Sequence, residues 1–380
     1  MESPHNGPAI SDEPRSTYAE AADGLPAGLS NPARRALISI GVRRLEQVAQ
    51  RSEAELRQLH GMGPKALDHL RHALAAIGMS FAGEGSTPRS RFPTPRSGER
   101  IVSSNGVDLC AQTFGDRRDP AVLLIAGNSG SMLWWEDGFC ARLASGGRFI
   151  IRYDHRDTGR SVTYAPGAPE YTLRDLALDA LGLLDAFGVA RAHLVGMSMG
   201  GAIAQLVALD HADRVASLTL IATSPVSPLQ PDHDLPGMSE ELLAAFAARP
   251  LPDWSDQAAV VDFLLDTQRR LSGSHALDEA GTRAAFRRVV DRTTNVASSM
   301  TNHNLMEGGD GWRERLGCVI APTLVVHGSE DPVFPHRHGL ALANEIPGAQ
   351  LLTLERTGHE LPSRVWDVVI PAILRRTSAG

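Results

Sequence analysis

Ser198 stands in the pentad Gly196-Met197-Ser198-Met199-Gly200. The apolar run 192–195 before it reads as a buried strand, and the run 202–209 after it is a good helix former. G-x-S-x-G alone is a weak pattern; the strand–turn–helix setting gives it weight. A serine on so tight a turn needs neighbours without side chains two positions before and two after. Its hydroxyl then stands clear of the sheet, and the helix N-terminus beside it favours developing negative charge. Such a serine attacks only with a base to take its proton, and the base needs an orienting group. Downstream, an apolar run ending at His327-Gly328 leads to Ser329-Glu330-Asp331-Pro332. Asp331 sits where a strand gives way to a loop and is the orienting acid; Glu330 is the runner-up. The run 351–354 leads to Thr357-Gly358-His359-Glu360, and His359 is the base.

The other histidines have duller readings. His60, His69 and His72 belong to an N-terminal segment. His327 falls inside or at the edge of a strand, and His336 and His338 lie at a solvent-facing helix start. His303, in Thr301-Asn302-His303-Asn304, can reach the pocket from an inserted segment but is not counted as a site residue. Acyl transfer also needs two N–H groups for the oxyanion. Met199, after the nucleophile, supplies one, and Asn128, in the loop Ile125-Ala126-Gly127-Asn128-Ser129-Gly130, supplies the other. Trp134 and Trp135 follow that loop and either line the pocket or pack in the core.

These residues require a scaffold of strands alternating with helices. Runs at 121–126, 149–153, 192–195, 218–222, 322–326 and 350–354 read as strands, with helices at 171–187 and 365–373. The alternation implies an α/β fold, a mostly parallel sheet flanked by helices. Residues 107–114 follow Asn105-Gly106, so an antiparallel hairpin opens the domain. From about 226 to 316 the strand pattern stops. That stretch is helical, with Phe246, Phe263 and Phe286 among its apolar positions, and reads as a cap over the site.

The domain so defined spans 99–380. Residues 1–23 are polar and read as a disordered tail, and 83–98 as a Pro/Ser/Arg linker. Residues 24–82 have helical patterning. Ser30 or Asn31 caps a first helix with Pro32 in its first turn, and Ser52 with Glu55 forms a capping box. Leu59-His60-Gly61-Met62-Gly63-Pro64-Lys65 then forms a Gly-apolar-Gly hairpin before a helix bearing Leu67, Leu70, Leu74 and Ile77. This segment resembles a helix-hairpin-helix domain, most closely the C-terminal domain of the bacterial RNA polymerase alpha subunit. The resemblance implies that Gly61, Gly63 and Lys65 contact a DNA phosphate. It departs from that family at Leu29-Ser30-Asn31-Pro32, where a DNA-reading arginine is missing. Contact with a protein partner is therefore the alternative, and any duplex binding is expected to be weak and non-specific.

From Glu99 onward the chain resembles the α/β-hydrolase superfamily, and within it the aclacinomycin methylesterase group of polyketide-tailoring esterases. The motifs that carry this are Arg152-Tyr153-Asp154-His155-Arg156-Asp157-Thr158-Gly159-Arg160-Ser161, Val195-Gly196-Met197-Ser198-Met199-Gly200 and Ala208-Leu209-Asp210-His211, with Gly127-Asn128 in support. Relatives often begin the oxyanion loop His-Gly; here it is Ala126-Gly127, which leaves the backbone donor in place. The stretch 154–161 is read as a structural loop beside the site. The resemblance implies a serine hydrolase of carboxylic esters, a methylesterase on polyketide-like substrates. Epoxide hydrolases and haloalkane dehalogenases carry aspartate in place of Ser198 and are set aside. Haloperoxidase-like or lactonase activity on the same triad stays open. A non-catalytic ligand-binding regulator is the alternative of a different class, and a pure binder has no need of Ser198, Asp331 and His359 together.

Composition narrows the setting. The 380 residues carry a net charge of −7, which implies no general attraction to nucleic acid or anionic membrane. Cys110, Cys140 and Cys318 are far apart and in no metal-ligand spacing, which suits a reducing compartment. Without an apolar leader or a long apolar run, the expectation is a cytoplasmic enzyme with no membrane contact. The expected partner is a small-molecule ester, with neither metal nor organic cofactor.

Overall fold

The structure, a computed structural model, describes residues 25–26, 29–49, 51–76, 81, 96–226 and 234–378. The tail expected over 1–23, residues 83–95 of the expected linker, and Ile77 lie outside them. The chain divides into two compact units, Met1–Pro93 and Thr94–Gly380.

In the first unit the described helices are α1 (Asn31–Ser39), α2 (Leu45–Val48), α3 (Glu53–Arg57) and α4 (Pro64–Ala76). Ser30 occupies the N-cap of α1 in extended backbone with proline in the first turn, but its side chain makes no capping bond. The Ser52/Glu55 capping box of α3 is complete: the Glu55 N–H donates to Ser52 Oγ (3.2 Å) and the Ser52 N–H to Glu55 Oε2 (2.8 Å). Leu37, Val48, Leu56, Leu67, Leu70 and Leu74 are buried together, which is what joins these short helices. Gly61, Gly63 and Lys65 are exposed around the start of α4.

The second unit is built on an eight-stranded sheet. β1 (Arg100–Ser104) and β2 (Val107–Phe114) form the antiparallel hairpin, turning at Asn105 (φ 48°) and Gly106 (φ 77°), the left-handed pair that Asn-Gly favours. There follow β3 (Ala121–Ile125), α5 (Asp137–Ser145), β4 (Phe149–Tyr153), α6 (Leu173–Ala186), β5 (Ala192–Met197), α7 (Met199–Asp210) and β6 (Val215–Ile221). Four helices then interrupt the alternation: α8 (Glu240–Ala247), α9 (Gln257–Leu271), α10 (Glu279–Arg292) and α11 (Val296–Thr301). The chain returns through β7 (Thr323–Gly328), α12 (Arg337–Glu345), β8 (Gln350–Leu354) and α13 (Trp366–Arg376). The strand order is β1-β2-β4-β3-β5-β6-β7-β8, antiparallel across β1, β2 and β4 and parallel beyond.

Both faces of the parallel part are covered, and that explains its near-continuous apolar runs. Leu123 and Ile125 of β3 pack with residues of α6 and α7, whereas Val122 and Leu124 pack with residues of α5 and α13. β6 begins at Val215, before the apolar run at 218. Ser217 enters the sheet because its hydroxyl is bonded to His193 Nδ1 on β5 (2.8 Å). α5 has no expectation in the sequence; its buried face is only Phe139, Cys140, Leu143 and Ala144. His338 corrects the expectation of a solvent-facing helix start. It is buried, with Nδ1 against Ser224 Oγ and Nε2 against Pro236 O, both 2.8 Å. Among the described residues no helix is long and apolar enough to cross a membrane.

Candidate active site

Ser198 lies between the end of β5 and the start of α7 with φ 53° and ψ −120°, a left-handed conformation that a serine adopts only under constraint. The Ser198 N–H donates to Ile221 O (2.9 Å), and Thr223 Oγ1 donates to Ser198 O (2.8 Å). The two flanking glycines are dictated by close approach. A Cβ on Gly196 would collide with the Gly200 carbonyl, and one on Gly200 with the Ile125 carbonyl. Any larger residue at either position would push the turn off the sheet.

Asp331 follows β7 and is buried. Its Oδ1 accepts the N–H groups of Val333 and Phe334, each at 2.9 Å, and its Oδ2 lies 2.9 Å from His359 Nδ1. Burial alone would raise this carboxyl, but the His359 ring and the Phe334 N–H hold it below its ordinary value. An ionised acceptor at Nδ1 favours the ring tautomer with its proton on Nδ1. His327 is near the same carboxylate (3.7 Å), but its Nε2–H donates to Phe334 O at 2.7 Å. Glu330 is exposed and turned away, accepting from the N–H (2.5 Å) and hydroxyl (3.0 Å) of Ser274. The histidine loop is held by the end of α9 and the residues that follow it. The His359 N–H donates to Leu271 O (2.7 Å), and Glu360 accepts from Ser272 Oγ (3.0 Å) and the Gly273 N–H (3.2 Å).

Ser198 and His359 line one cavity of about 1090 Å³, which also takes in Gly127, Asn128, Met199 and Trp134. No hydrogen bond among the described residues joins Ser198 Oγ to the His359 ring; such contacts are often long until substrate is in place. A Cβ built on Gly127 would lie 3.3 Å from Ser198 Cβ and 3.9 Å from Oγ, so the loop 125–130 runs beside the serine. Phe246, Phe263 and Phe286 of α8, α9 and α10 border the same cavity. Trp134 is 40% exposed and packs on Phe286, ring centroids 5.9 Å apart. Trp135 also reaches the cavity but is a core residue, packed on Phe139 at 5.5 Å.

Apart from the exposed Arg160, the stretch 154–161 is a buried bracket. Asp154 accepts from the Met132 N–H (2.8 Å), the Arg160 N–H (3.0 Å) and Arg292 Nη2 of α10 (2.6 Å). Asp157 accepts from the Tyr164 N–H (2.6 Å), the Tyr171 hydroxyl (2.7 Å) and Asn302 Nδ2 (2.9 Å). Asp154 thereby ties the segment at Met132 to α10, and Asp157 ties residues 164–171 to the turn at Asn302. Among the described residues no cluster of His, Cys, Asp or Glu is arranged to hold a metal ion.

A family model for the alpha/beta hydrolase fold matches residues 120–362. The chain belongs to the α/β hydrolase fold family. Two rhodomycin D methylesterases are similar to this α/β hydrolase: DauP of Streptomyces sp. (strain C5) and DnrP of Streptomyces peucetius. Each is 32% identical over 300 residues, which is 74% of this chain and 98% of the relative. A hydrolase of Pseudomonas aeruginosa PA01 has a similar crystal structure, with TM-score 0.58 and 25% identity over 74% of this chain and 98% of that one.

The geometry thus brings Ser198, Met199, Asn128, Trp134, Trp135 and His359 around one cavity, with Asp331 behind His359. Gly61, Gly63 and Lys65 belong to the other unit. His303 was set aside on sequence grounds, yet it borders the cavity and accepts the Ser129 N–H at 2.9 Å. The polar triplet Asn302-His303-Asn304 does not stand out in an insertion rich in charged and polar residues.

Proposed function

We propose that this α/β hydrolase cleaves carboxylic esters through an acyl-enzyme formed on Ser198. The strained turn at Ser198, opening on the cavity that holds His359, is the observation that carries this reading. Ser198 Oγ attacks the ester carbonyl carbon while His359 Nε2 takes the hydroxyl proton. Asp331 holds the imidazole and stabilises its charge. The N–H groups of Met199 and Asn128 receive the oxyanion. The imidazolium returns the proton to the departing alcohol oxygen, and the acyl group stays on Ser198. Water then attacks, gives its proton to His359, and releases the acid as Ser198 regains its hydrogen. These steps call for no metal and no organic cofactor.

The substrate class we infer is a small alcohol esterified to a bulky polycyclic acid. A cavity of about 1090 Å³ roofed by Phe246, Phe263 and Phe286 suits a large flat acyl partner. The methylesterase names of the Streptomyces relatives point the same way. Methyl esters of large aromatic acids should exceed long-chain lipid esters in kcat/KM by about tenfold or more, the scale of a few well-buried apolar contacts. A steady-state panel of methyl, aryl, lactone and lipid esters measures this; a higher kcat/KM for the lipid esters contradicts it, and a preference for lactones moves the reading to lactonase.

We further propose that residues 24–82 form a small helix-hairpin-helix module whose DNA or protein contact is separate from hydrolysis. A chain beginning at residue 98 should fold and hold kcat/KM within about twofold of the full chain, as units joined by a polar linker do. Circular dichroism with the same esterase assay tests this; loss of turnover in a folded truncated chain would assign the module a part in the site.

A further inference from the structure

Two buried histidines that take no part in the proton transfers above grip the oxyanion loop at both ends. His155 Nε2 lies 3.0 Å from Ala126 O, so it donates there. His303 Nδ1 lies 2.9 Å from the Ser129 nitrogen, so it accepts there, and its Nε2 lies 2.9 Å from Arg156 O, so it donates there. Each contact is to a backbone group of fixed polarity, and this sets the tautomer of each ring. Burial pushes His155 down to about 3 and His303 below its ordinary range, so both rings are neutral at working pH. The rings meet edge to face with centroids 5.8 Å apart.

The loop between these grips needs holding. Ser129 is left-handed at φ 58°, which costs a non-glycine residue energy unless the surroundings impose it. The Asn128 side chain donates to Asn304 Oδ1 (2.6 Å), on the same turn as His303. That turn is itself locked, because Asn302 Nδ2 donates to Asp157 Oδ2 (2.9 Å) and Ala165 O (3.0 Å). The Asn128 N–H lies in the chain between the anchored Ala126 carbonyl and the anchored Ser129 N–H. We propose that His303, with His155, is a positioning residue that clamps residues 126–129 so that the Asn128 N–H points at the developing oxyanion. This rests on the reading that Asn128 is an oxyanion donor. His303 acts through the loop and not on the reacting atoms, so its loss should weaken transition-state binding and leave ground-state binding nearly intact.

The test uses full-length His303→Leu, which has no polar atom there, and His303→Gln, which keeps one acceptor and one donor. His303→Leu should lower kcat about 10- to 100-fold with KM within about threefold, the scale of a loop misplaced by about 1 Å. Affinity for an aryl trifluoromethyl ketone, whose adduct carries the oxyanion, should fall in proportion to kcat/KM. His303→Gln should recover most of both losses. The clamp is overturned if folded His303→Leu keeps kcat within about threefold of the parent, or loses kcat while binding the ketone undiminished. If His303→Leu does not fold, His303→Gln decides: kcat within about fivefold supports the clamp, and a loss beyond about thirtyfold in folded protein overturns it. Ser198→Ala runs beside them. Turnover surviving in that variant removes the ester mechanism and the clamp together; turnover lost there but intact in His303→Leu removes the clamp alone.

Discussion

Ser198→Ala should lower ester turnover about 10⁴-fold or more, because triad members act as a unit and the loss of the nucleophile silences the rest. What remains is the contribution of the oxyanion donors and the cavity. The substitution removes one oxygen from a residue whose backbone is anchored by Ile221 and Thr223, so the turn and the melting temperature should change little. KM should also stay near the parent value, since the cavity walls are untouched. Turnover within tenfold of the parent, measured on protein free of parental enzyme, rejects the serine mechanism.

Asp331→Asn should cost nearly as much, about 10⁴-fold in kcat, through a tautomer and not through lost packing. The amide oxygen at 331 would stay under the N–H groups of Val333 and Phe334, which now bind Oδ1. The amide NH₂ would then face His359 Nδ1, where the carboxylate now accepts. The ring would turn its lone pair to Nδ1 and its proton to Nε2, and an Nε2–H cannot take the serine proton. Glu330→Gln should leave kcat within about threefold, because Glu330 is exposed and engaged with Ser274. Parallel steady-state kinetics on the two variants check the assignment; a large loss in Glu330→Gln with a small one in Asp331→Asn would exchange the two acids.

The alternation of buried strands and helices was legible because a parallel sheet covered on both faces must be written as continuous apolar runs. β4 and β8 coincide with their runs, and Asn105-Gly106 marks its hairpin by conformational need alone. Where the reading failed, a polar group had found a private partner. Ser217 enters β6 because His193 satisfies it, and His338 is buried because Ser224 and Pro236 receive it. α5 was invisible because only part of one face is apolar. In the candidate site, the pentad around Ser198 could be read because close approach leaves glycine no substitute. His303 could not be read the same way. Its role depends on a contact between residues far apart in the chain, and no local pattern announces that the Ser129 N–H needs an acceptor.

The most direct test of the central claim is to trap the acyl-enzyme chemistry at one atom. An aryl fluorophosphonate phosphonylates a serine, with fluoride leaving as the P–O bond forms, only when that serine is activated by a neighbouring base and its oxyanion donors are in place. Intact mass should rise by one phosphonyl group per chain. Peptide mapping should place it on Ser198, and labelling should stop in Ser198→Ala and slow severely in Asp331→Asn. A label on another residue, or no label while ester turnover proceeds, would contradict the account.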